Sequence, residues 1–79
     1  MTASDLKKVI DACLNDVTFI YNGKQCGITS EVTNYQPTFT EWYGNDFYET
    51  GDIDELMDNK LFDGYALSEI CTDVEINIL

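Results

Sequence analysis

The chain contains no histidine and no arginine, and its only cations are four lysines among 79 residues. Without histidine, the usual general base and activator of nucleophiles is missing. Without arginine, so is the bidentate clamp for phosphate and carboxylate groups. Phosphate-loop, dinucleotide and nucleophile-elbow patterns are absent as well. Paired carboxylates could still do acid–base work, but fifteen acids on so small a chain supply many accidental pairs and little room for a sugar cleft. These absences set aside most enzyme mechanisms and point to a protein that acts by binding. Scarce cations also argue against direct contact with nucleic acid, where affinity comes largely from Lys and Arg neutralising phosphates.

Cysteine is sparse and oddly placed. Cys13, Cys26 and Cys71 are three in number and far apart, which is not a disulfide framework. Zinc sites favour Cys and His in close pairs, and none occurs here. The three cysteines are more simply read as buried small hydrophobes, since Cys13 and Cys71 each fall on an apolar helical stripe. The alternative is that they converge with an aspartate on zinc, making a small metal-stabilised protein. Asp52, Asp54 and Glu55 look superficially like a calcium loop. Counted from Asp52, however, position six is Met57 where glycine is needed, and position twelve is Asp63 where a bidentate Glu belongs. No cofactor is expected. Residues Met1 to Lys8 lack the apolar stretch of a signal peptide, and no apolar run approaches membrane-spanning length, so a reducing cytoplasm is the expected location, with no membrane partner.

What the chain does have is aromatic side chains and negative charge. Ten aromatics and an apolar fraction of 44% favour one folded domain, residues 1–79, over a disordered acidic tail. Leu6, Val9, Ile10, Cys13 and Leu14 follow helical spacing, with Ser4 as candidate N-cap and Asp5 suited to the positive end of the dipole. Val17 to Tyr21 reads as a strand, Asn22-Gly23 as a type I′ turn, and Gln25 to Thr33 as the returning strand, where Gly27 marks a bulge or a close backbone approach. Asn34 to Pro37 reads as a loop. Thr38 to Tyr43 forms a third strand, with Phe39, Glu41 and Tyr43 on one face and Thr38, Thr40 and Trp42 on the other. Gly44 to Asp46 turns into a short fourth strand, Phe47 to Thr50. Asp52 caps a second helix, with Glu55 completing a capping-box pattern. Leu67, Ile70 and Cys71 place a third helix to about Asp73, followed by a short extended tail. The expected fold is α+β: an N-terminal helix, a three- to four-stranded antiparallel meander sheet and two short C-terminal helices, all on one face of the sheet.

The charge of −11 is unevenly distributed. Residues 1–40 carry a net charge of −1 and residues 41–79 a net charge of −10. From Glu41 to Asp58 there are seven acids and no base: Glu41, Asp46, Glu49, Asp52, Asp54, Glu55 and Asp58. Such a run keeps a small protein soluble. It also exceeds that need and opposes folding by self-repulsion, so it is read here as a working surface that attracts basic partners. Trp42, Tyr43, Phe47 and Tyr48 are candidate aromatic anchors beside it, and Trp42 and Tyr43 lead them, although strand alternation buries at least half of the four. Because Trp42 and Tyr43 point to opposite faces of a strand, only one of the two is expected to be exposed.

Several stretches resemble the small acidic proteins carried by phages and mobile elements of Gram-positive bacteria. They are the helix-first start, Tyr21-Asn22-Gly23-Lys24, the Thr38-Phe39 and Trp42-Tyr43-Gly44 segments of one strand, and Leu61-Phe62-Asp63-Gly64 followed by Leu67-Ser68-Glu69-Ile70. In size, charge and element order the chain is similar to anti-CRISPR inhibitors of type II RNA-guided nucleases. That resemblance implies a phage protein in the bacterial cytoplasm, and a nucleic-acid mimic that occupies the basic surface of a CRISPR effector nuclease and blocks DNA loading. It carries over no individual site residues. The alternative from the residues alone is a host-protein interaction module that uses an exposed aromatic patch.

Overall fold

In the computed structural model, which describes residues 1–79, the chain runs α1 (Ala3–Asp11), β1 (Val17–Tyr21), β2 (Lys24–Thr33), β3 (Gln36–Tyr43), β4 (Asp46–Thr50), α2 (Ile53–Asp58), α3 (Leu67–Ile70) and β5 (Asn77–Ile78). The sheet is antiparallel, with spatial order β4-β3-β2-β1-β5. This is the expected α+β architecture with one strand more. The extra strand is the extended tail, which pairs Ile78 with Val17 and Asn77 with Thr18.

Three two-residue turns build the meander. At Asn22-Gly23 both central residues have positive φ, 51° and 73°, as a type I′ turn requires. At Asn34-Tyr35 both are again positive, 53° and 64°, so the expected loop is instead a tight turn and β3 begins at Gln36. At Gly44-Asn45 the positive φ falls on Gly44 alone, the II′ pattern. Each turn fixes register, and register fixes which side chains are buried. Val17, Phe19, Cys26, Ile28, Phe39, Glu41 and Tyr43 therefore share the core face.

The helices cover that face only. Leu6 and Ile10 of α1, Leu56 and Met57 of α2, and Leu67 and Ile70 of α3 close one core around Phe19, Phe39 and Phe62. The rings of Phe19 and Phe62 lie 5.6 Å apart in a tilted pair. Two details of α1 differ from expectation. Thr2, not Ser4, caps it, its Oγ1 accepting from the Asp5 N–H at 3.1 Å. The helix also stops at Asp11, and Cys13 turns through φ 56°, so Leu14 leaves the apolar stripe and is 81% exposed. The cap of α2 is as expected, with Asp52 Oδ1 accepting from the N–H groups of Asp54 and Glu55. The Glu55 carboxylate does not return to the cap. It accepts instead from the Tyr48 hydroxyl at 2.6 Å and the Thr50 hydroxyl at 3.2 Å, which ties α2 to β4.

Candidate binding surfaces

Of the seven acids between Glu41 and Asp58, the fold exposes six. Asp46 and Glu49 lie on the edge strand β4, Asp52 caps α2, and Asp54, Glu55 and Asp58 lie along α2. Three of the six have internal work. Asp52 holds the helix N-terminus, Asp54 pairs with Lys7 of α1, and Glu55 anchors Tyr48 and Thr50. The Asp54 partner holds the Lys7 ammonium above its ordinary pKa, and the Glu55 hydrogen bond does the same for the Tyr48 phenol. Asp46 and Asp58 make no side-chain hydrogen bond or ion pair, and Glu49 accepts only a long one from Thr40, at 3.4 Å. Asp58 is also in the last turn of α2, where the helix dipole disfavours a carboxylate and no base answers it.

Glu41 does not belong to this surface. Its position in β3 turns it inward with Phe39 and Tyr43, and it is fully buried. Oε1 accepts from Asn59 Nδ2 at 3.2 Å, and Oε2 has no partner. Burial outweighs that single hydrogen bond and pushes its pKa up to about 7. Tyr43 is likewise a core residue. Its ring packs 5.9 Å from Phe62 and 6.2 Å from Tyr21, and the Lys24 ammonium sits 4.7 Å from its centroid.

Trp42 is the aromatic that faces out. It lies on the helix-free side of the sheet, half-buried, paired across strands with Gly27 on one side and Phe47 on the other. The benzo edge of its indole covers Gly27. Phe47 is 70% exposed and Ile20 is 64% exposed on the same face. Phe47 is among the aromatics that the sequence offers as a recognition patch, whereas Ile20 is not, because no local pattern marks it as exposed.

The other candidates disperse. Cys26 and Cys71 are buried, and burial raises both thiols above their ordinary pKa. They do not form a ligand set with Cys13 or with the acids, and no other group of three Cys, Asp or Glu side chains comes together as one. No helix is long and apolar enough to cross a membrane. Comparison with family models, curated proteins and solved structures gives no match.

Proposed function

We propose that this chain is an acidic binding protein that inhibits a nucleic-acid-handling protein by occupying a basic surface, with a type II RNA-guided nuclease as the partner its resemblance implies. One observation carries the reading. The β4–α2 edge displays Asp46, Asp52, Asp54, Glu55 and Asp58 on its helix side and Glu49 on the opposite face of the same strand, with Lys7 as the only cation paired against them. Solubility does not require so local a concentration, and Asp58 is placed where it costs helix stability. Carboxylates held on folded elements can stand in for phosphates in a groove built for DNA.

The test is DNA loading and cleavage by a purified type II nuclease–guide complex titrated with this protein. The expected result is loss of DNA loading that salt relieves, because exposed charge pairs are screened beyond about 10 Å at 0.1 M ionic strength. Replacing Asp46, Glu49 and Asp58 with Lys should abolish inhibition without unfolding the protein, since none of the three caps a helix or forms an ion pair. Inhibition that is insensitive to salt and survives these reversals would sink the mechanism. A second reading, an interaction module that works through exposed aromatics, is supported by the uncovered face around Trp42.

A further inference from the structure

One lateral row of residues crosses all five strands on the helix-free face: Asn77, Thr18, Gly27, Trp42 and Phe47 stand side by side. Gly27 leaves a gap in the middle of the row, and the Trp42 ring fills it. Between Trp42, Ile20 and Gln25 the surface dips into an open depression of about 240 Å³. The neighbouring row carries Glu49 opposite Thr40, and Glu31 lies further along β2 on the same side. Carboxylates therefore flank the aromatic pair on its Thr40 side.

None of the four lysines answers them. Lys7 and Lys8 are on α1, across the sheet. Lys24 reaches over Tyr43 on the core side, and Lys60 is bound to Glu69 at 2.7 Å. The face is thus apolar along this row, acidic on one side of it and free of cations.

We propose that this face docks an arginine-bearing segment of a partner protein, with a guanidinium stacked on Trp42 and Phe47 and paired with Glu49. Tryptophan offers the strongest ring face for a cation, and arginine, planar and weakly hydrated, is the cation that stacks best. A second copy of this chain fits poorly, because a two-fold contact would set Glu49 and Glu31 against like charges with no cation between them. Nucleic acid is repelled for the same reason. The proposal rests on the reading that the partner is basic. It adds which face meets it and by which side chain.

Trp42 is the only tryptophan, so its emission reports on this face alone. The experiment titrates the protein with hexa-arginine and with hexa-lysine near physiological salt, where the Debye length is about 8 Å. It follows Trp42 fluorescence and backbone amide shifts in the parent and in Ile20→Thr, Phe47→Thr and Asp46→Asn/Asp58→Asn. Both apolar positions are largely exposed, so Ile20→Thr and Phe47→Thr should keep the fold, as thermal unfolding will verify. Hexa-arginine should bind several-fold tighter than hexa-lysine and perturb Ile20, Gln25, Trp42 and Phe47. Phe47→Thr should weaken it roughly fivefold or more, as loss of an anchor does. Shifts confined to residues 52–58, with Phe47→Thr unaffected, would overturn the docking face while leaving the acidic edge intact. Equal binding of the two peptides would also overturn it, because charge alone would then suffice. A dimer in sedimentation that Phe47→Thr dissolves would assign the face to a second copy and likewise overturn it. No binding of either peptide would remove both this proposal and the acidic-edge reading.

Discussion

Trp42 covers Gly27 so closely that a methyl group added there would meet Cζ2 of the indole at 2.3 Å and the Val17 carbonyl oxygen at 2.6 Å. The indole can swing away, but the Val17 carbonyl belongs to the β1–β2 ladder and cannot. Gly27→Ala is therefore expected to cost about 2 kcal/mol, in the range of other overpacked sites. Urea unfolding measures the loss. A red shift of Trp42 emission in the folded state would report that the ring has left its seat, and unchanged stability and emission would contradict the close approach.

Glu41 makes stability depend on pH in an unusual direction for a carboxylate. Its folded pKa, about 7, lies above the ordinary value of 4.5, so the folded state holds its proton more tightly than the unfolded chain. Its contribution is fully present below about pH 4.5 and is lost as pH rises to about 7. The shift corresponds to something on the order of 3 kcal/mol. The net charge, −11 at pH 7, also grows as other carboxylates ionise with rising pH, so the comparison must be with Glu41→Gln, which keeps shape but not titration. The difference between parent and variant should grow in the variant's favour from pH 4.5 to 7 and then level off. A difference that does not vary with pH would mean that Glu41 is not titrating there.

Glu41 also shows where the sequence was legible and where it was not. The strand, its alternation and the company of Phe39 and Tyr43 were all readable, and parity alone places Glu41 inside. The acidic context pointed the other way, and a carboxylate is so rarely buried that composition overrode register. The Asn22-Gly23 turn and the Asp52 cap were visible because each uses the residue its geometry demands. The Asn34-Tyr35 turn was not, because Tyr35 has no chemical reason to take positive φ. The end of α1 was missed because Leu14 continues the apolar spacing, and only the turn at Cys13 removes it from the stripe. Exposure of Ile20 depends on β2 and β5 leaving that side open, which no local pattern states.

Asp52 supplies a helix cap as well as a charge, and the two roles separate by substitution. Asn caps about as well as Asp, whereas Ala removes the acceptor for Asp54 and Glu55 at a cost of about 1 kcal/mol. Asp52→Asn should leave the thermal midpoint nearly unchanged and Asp52→Ala should lower it. Binding to a basic probe should weaken equally in both once the folded fraction is matched. If binding falls only in Asp52→Ala, the aspartate acts through the position of α2 and its charge is irrelevant.

Tyr35 sits at the tip of the β2–β3 hairpin, entirely exposed, at φ 64°. A bulky residue is disfavoured there, and its side chain gains no burial in return. Glycine at this second turn position matches the Asn-Gly pair that already closes the β1–β2 hairpin. Removing the steric cost of left-handed backbone, about 1 kcal/mol, outweighs the greater freedom glycine gives the unfolded chain. Tyr35→Gly is therefore expected to stabilise the protein by about 0.5 kcal/mol or slightly more. Chemical denaturation with an unchanged m-value would attribute the gain to the turn and not to a change in the unfolded ensemble. A loss of stability would mean that the tyrosine ring makes a contact at the hairpin tip that its full exposure denies.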